Sequence, residues 1–90
     1  MQKFIDNDQG YLNWVVSSPD GYVVNIIRSL NPNNAVIHRA DCWTINGVPA
    51  RGKAWTDDYV KICSASIEEL ESWMGKMAGG KAKKCKLCKP

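Results

Sequence analysis

The sequence predicts a small single α+β domain, a short antiparallel sheet with two helices, stapled at a C-terminal Cys-x-x-Cys knuckle. Three observations predict it. Apolar residues recur at helical spacing from Ile67 to Met77 behind a capping sequence. Two runs rich in β-branched residues, 22–28 and 35–38, flank the turn-forming Asn31-Pro32-Asn33-Asn34. The chain has 90 residues and four cysteines. A domain of that size buries only roughly 60–65% of the surface its unfolded form exposes, and often recruits disulfides or a metal.

The elements follow in order. Residues 1–10 are expected to be loosely ordered. Asn7 or Asp8 can cap a first helix through Tyr11, Leu12, Trp14 and Val15, which Ser17-Ser18-Pro19-Asp20-Gly21 ends. Asp20-Gly21 is a turn signal ahead of a strand, and after the 31–34 turn Ala35-Val36-Ile37-His38 returns antiparallel to it. Residues 41–53, with Gly47, Pro49 and Gly52, read as an irregular loop. Tyr59-Val60-Lys61-Ile62-Cys63 reads as a third strand. Ser66 and Glu69 then form a capping box, in which Ser66 bonds the Glu69 amide and the Glu69 carboxylate reaches back. Ile67, Leu70, Trp73, Met74 and Met77 make one apolar helix face, and Gly79-Gly80 stops the helix.

Composition narrows the function classes. No apolar run approaches the roughly 18 residues needed to span a bilayer, and the N-terminus lacks the apolar stretch of a secretory leader. The expected location is the cytoplasm, with no membrane partner. In a reducing compartment the cysteines are expected to be metal ligands or free thiols rather than disulfides. Charge is uneven: from Lys76 onward there are six lysines and no acid, so the first 75 residues carry a net charge of about −3. Such a basic segment attracts phosphates, or simply keeps a tail solvated.

Cys85-x-x-Cys88 is the spacing of a structural zinc knuckle. His38-x-x-x-Cys42 supplies a second pair at the end of a predicted strand. Together they form a one-nitrogen, three-sulfur set suited to one tetrahedral Zn²⁺, closed against water and therefore structural rather than hydrolytic. Such an ion is expected to supply a large share of the folding free energy. A redox dithiol would open a helix after a strand, and no helix follows Cys88. Cys63 is the alternative fourth ligand, in place of His38. It also fits as a small apolar group in a buried strand. Spacing alone leaves both open.

Several of these pieces together are similar to the N-terminal metal-binding domain of the Ada protein, which repairs methyl phosphotriesters in DNA, and to the wider group of Ada-like zinc modules. The matching stretches are Asp20-Gly21-Tyr22-Val23-Val24 leading to Arg28, His38-Arg39-Ala40-Asp41-Cys42, Ser66-Ile67-Glu68-Glu69-Leu70, and Cys85-Lys86-Leu87-Cys88-Lys89-Pro90. They keep their order over roughly residues 11–90. The resemblance implies a zinc module associated with DNA. In the repair domain the first ligand of the early pair is a cysteine that accepts the methyl group. Here His38 stands at that position, and imidazole is no thiolate nucleophile, so no enzymatic activity is expected. An alkyl acceptor would have to be Cys63, Cys42 or a knuckle cysteine.

The expected activity is non-catalytic nucleic-acid binding. Arg39, Arg51, Lys81, Lys83, Lys84, Lys86 and Lys89 would meet phosphates, and Trp43 and Trp55 would stack on bases unless they serve the core. A protein-interaction adaptor is the alternative, with Trp43, Ile45, Val48 and Trp55 on the partner surface.

Overall fold

The computed structural model describes residues 1–46 and 54–90. A five-stranded sheet lies between two helices. Its strands are β1 (Gln2–Phe4), β2 (Tyr22–Ile27), β3 (Ala35–Arg39), β4 (Tyr59–Ser64) and β5 (Lys83–Lys84), in the spatial order β1-β4-β2-β3-β5. Every pairing is antiparallel except β3 with β5. β1 and β2 therefore run parallel on either side of β4, and helix α1 (Asp8–Ser17) connects them.

The helices cover opposite faces, which is why the central strands are apolar on both sides. Tyr11 and Val15 of α1 pack with Phe4, Val23, Ala40, Cys42, Ile45 and Cys63. Leu70, Trp73 and Met74, from helix α2 (Ile67–Trp73) and the turn after it, pack with Val24, Ile26, Ala35, Ile37, Val60 and Ile62. Val23 and Val24 are adjacent in sequence and serve different cores, as the two-residue period of a strand requires.

Local chemistry sets the boundaries. Asn7 caps α1, its Oδ1 accepting from the Gly10 amide at 3.0 Å. The carboxylate of Asp8 accepts from the Trp55 amide at 2.8 Å and the Thr56 amide at 2.9 Å, tying residues 55–56 to the helix start. Gly21 is required by close approach, because a Cβ there would lie 2.7 Å from the Trp14 ring and 3.1 Å from the Ser64 carbonyl oxygen.

Three expectations need correction. The capping box is half formed: Ser66 Oγ accepts from the Glu69 amide at 3.3 Å, but the Glu69 carboxylate accepts from Ser64 Oγ instead of reaching back. Met77 is 52% exposed rather than part of the apolar face. The chain widens into a π-helical turn at Met74–Ala78, which adds a residue to the turn and rotates Met77 outward, before Gly79 ends it at φ +75°. Finally, Gln2–Phe4, within the segment expected to be loosely ordered, is an edge strand paired to β4.

Candidate metal centre

β3 and the C-terminal tail build the centre together. His38 sits near the end of β3, opposite Val23 of β2. The chain then turns: the Cys42 amide donates to the Arg39 carbonyl at 3.0 Å, and Trp43–Ile45 forms a single 3₁₀ turn. The tail enters through β5, beside Val36 and Ile37. The Cys85 amide extends that pairing by donating to the Ile37 carbonyl at 2.9 Å, and the Lys89 amide closes the knuckle on the Cys85 carbonyl at 3.1 Å. One strand thus positions both halves.

The result is one cluster. One ligand atom from each of His38, Cys42, Cys85 and Cys88 lies within 4.8 Å of all the others. A tetrahedron around zinc has edges of about 3.5–3.8 Å, so small side-chain movements suffice to close the set on an ion. Cys63 is not in it. It lies fully buried in the core under α1, and burial pushes its thiol up to about 12. The cluster that could hold a metal therefore includes His38 and not Cys63, which lines the core beneath.

Several features fit the residues to a cation. His38 Nδ1 is buried with no hydrogen-bond partner, a costly arrangement unless a lone pair there serves another purpose. Burial, reinforced by the charge of Lys61, lowers the His38 pKa to about 4, so the imidazole stays neutral at physiological pH, as a ligand must. The two knuckle thiols behave unequally. Burial raises Cys85, but N–H donation from Cys88 and Leu87 outweighs it and holds that thiol below its ordinary value. Burial and its sulfur neighbours push Cys88 up to about 11. Like charges this close cannot all ionise without a cation between them. Outer donors are already in place: the Arg39 amide lies 3.2 Å from Cys88 Sγ, and Thr44 Oγ1 lies 2.9 Å from Cys42 Sγ.

The other site residues expected from sequence are distributed as follows. Arg39, Lys81, Lys83, Lys84, Lys86 and Lys89 are exposed. Trp43 is 74% exposed, whereas Trp55 is half-buried with its ring 6.2 Å from that of Tyr11. Ile45 is buried and accepts a hydrogen bond from the Tyr11 hydroxyl at its carbonyl, which removes it from any partner surface. Arg51 and Val48 lie outside the described residues.

Lys61 has a role the sequence reading does not reach. It is 2% exposed, donates to the Trp55 carbonyl, and holds its ammonium 5.6 Å and 5.7 Å from the Tyr11 and Trp55 ring centres. Its only sequence signal is a lysine at a core-facing position of an otherwise apolar strand.

Comparison with family models, with curated proteins and with solved structures finds no match to this chain. No helix among the described residues is long and apolar enough to cross a membrane.

Proposed function

We propose that the chain is a non-catalytic zinc module that binds nucleic acid through the basic surface around its metal cluster. His38, Cys42, Cys85 and Cys88 would hold the ion. With four protein ligands and no open position, zinc supplies folding energy and rigidity rather than hydrolysis. The sulfur-rich donor set favours zinc over the hard cations, which take oxygen ligands.

The observation that carries the reading is where the cations stand. Arg39, Lys83, Lys84, Lys86 and Lys89 are all exposed, and each lies within two residues of a cluster residue. A metal that fixes the knuckle therefore fixes the backbone of five cations, which is how a short segment presents a defined footprint to phosphates. The resemblance to Ada-like modules supports the same reading. Alkyl transfer gains no such support, because Cys63 is buried with a raised pKa and His38 occupies the acceptor position.

Two measurements test this. Native mass spectrometry of the purified chain should find one zinc ion. Fluorescence anisotropy with a labelled oligonucleotide should give a plot of log affinity against log salt with a slope of about −3.5 (single strand) to −4.5 (duplex) for five phosphate contacts. An affinity unchanged between low and physiological salt would remove the reading.

A further inference from the structure

We infer that the nucleic acid this module takes is unpaired, with one base stacked on Trp43 and the flanking phosphates held by Arg39, Lys86 and Lys89. This rests on the nucleic-acid reading above and narrows it.

The case begins with an anomaly. Of the four tryptophans, Trp73 is 7% exposed and Trp14 and Trp55 are half-buried, but Trp43 is 74% exposed. A domain this small is short of core, and an indole is among the largest apolar groups it can bury. Leaving one in water is unfavourable unless the ring has another use.

The backbone that carries the ring is also held in place. Its turn is fixed at both ends, by Cys42 in the metal cluster and by buried Ile45. The Ile45 amide donates to the Cys42 carbonyl at 3.2 Å, and the Tyr11 hydroxyl donates to the Ile45 carbonyl. In a 3₁₀ turn of about three residues, burying Ile45 and anchoring Cys42 leaves the intervening Trp43 facing solvent. A platform on a fixed backbone loses little entropy when a ligand settles on it.

A second exposed apolar group shares this end of the molecule. Leu87, 64% exposed, is the knuckle residue before Cys88, and the Cys42 and Cys88 ligand atoms lie within 4.8 Å of each other. Trp43 and Leu87 are thus each one residue from the same cluster. Around them stand Arg39, whose amide bonds Cys88 Sγ, and exposed Lys86 and Lys89; Asp41 is the exposed acid in the adjoining turn.

This combination discriminates between nucleic-acid forms. In a duplex the base faces are stacked on their neighbours, so an indole outside finds only sugar and phosphate. An unpaired base offers a free π-face, and sequence-tolerant stacking on an aromatic beside cations is how single strands are commonly held. A purely phosphate-binding surface would leave Trp43 and Leu87 without a role.

The test uses the full zinc-loaded chain in anisotropy titrations at low salt. The probes are labelled oligo-dT and oligo-rU of about 15 nucleotides and a duplex of similar length. Zinc content by native mass spectrometry confirms that each variant keeps its metal. The expected result is tighter binding of a single strand than of duplex, with Trp43→Ala weakening single-strand binding about 5- to 100-fold. Trp43→Phe should fall between, and duplex affinity should stay within about twofold. The two single-strand probes separate DNA from RNA. If duplex binds at least as tightly and Trp43→Ala changes nothing, the inference fails while the nucleic-acid reading stands. If no probe binds even at low salt, the nucleic-acid reading itself fails, and the Trp43–Leu87 face must be assigned to a protein partner.

Discussion

Replacing His38 and Cys63 in turn distinguishes a metal ligand from a core residue, because the two roles leave different thermodynamic traces. Each variant is unfolded with urea twice, once in excess free zinc and once with a chelator, and the difference is its zinc increment. An ion that binds only the folded state adds about 4 kcal/mol when free zinc is about 1,000 times the dissociation constant. His38→Ala removes one of the four candidate ligands, along with the one nitrogen that is neutral without competing for a proton. Its increment should shrink by most of that amount. Cys63→Ala removes one sulfur from a fully buried site. The cost should be about 1–2 kcal/mol of transfer and cavity energy, lost equally with and without zinc, so the increment is unchanged. The signature is therefore parallel loss for Cys63 and zinc-specific loss for His38. An abolished increment in Cys63→Ala with a preserved one in His38→Ala would refute the ligand assignment and make the centre four-thiolate.

Two further predictions concern the buried polar groups. Burial lowers the Lys61 pKa from 10.5 to about 8, so its charge opposes folding at neutral pH, by roughly 3 kcal/mol before its carbonyl and ring contacts are counted. Lys61→Met should exceed the wild type in stability by about 1–2 kcal/mol at pH 7. Between pH 8 and 10.5 the unfolded wild type binds more protons than the folded form, so wild-type stability rises there relative to the variant and the gap closes; urea midpoints across that range check it. Burial alone would raise Asp8, but bonds from Thr56 and Trp55, with the charge of Lys61, leave its pKa below 3.8. The stability it contributes is present above pH 3.8 and lost as pH falls through the lower folded value. Asp8→Asn should cost about 1–3 kcal/mol at pH 7 and progressively less in acid, read by thermal unfolding.

What was legible in the sequence was local. Both ligand pairs are short-range patterns, and a strand end or a knuckle aims each pair without reference to the rest of the chain. The Asn7 cap, the 31–34 turn and the Gly79 stop are similarly self-contained. The choice between His38 and Cys63 was not legible, because it depends on register. Both residues stand opposite Val23, one from β3 and the other from β4. They share a sheet face but stand two strands apart, and only His38 has a ligand atom in the cluster with Cys42, Cys85 and Cys88. β1 has no local signal because Gln2-Lys3-Phe4 offers a single buried side chain and pairs with residues some 60 positions away. Met77 was misplaced because helical spacing assumes a constant turn, and the π-turn breaks it.

The position of the cluster also limits what a bound metal would have to hold. None of the four ligands belongs to the core under α2, where Val24, Ile26, Ile37, Val60, Ile62, Leu70 and Met74 pack together. The cluster touches only the other core, through Cys42, with Cys85 and Cys88 at its margin. The tail is tied to the sheet by a strand of two exposed residues, a few backbone bonds and partly buried Ala82, to which a bound ion would add a further tie. Loop-closure entropy works against that tie, because more than 40 residues separate Cys42 from Cys85. Chelation should therefore free the tail well before it unfolds the sheet. Hydrogen exchange on the metal-free chain should show early loss of protection at the Cys85, Lys89 and Arg39 amides, which bond the Ile37 carbonyl, the Cys85 carbonyl and Cys88 Sγ. Amides of Val24 and Ile62, in paired central strands, should stay protected. Uniform loss across both sets would mean that the ion holds the whole fold, as in a minimal zinc finger. A split would mean that it serves chiefly to fix the basic knuckle and Trp43, the surface proposed to bind nucleic acid.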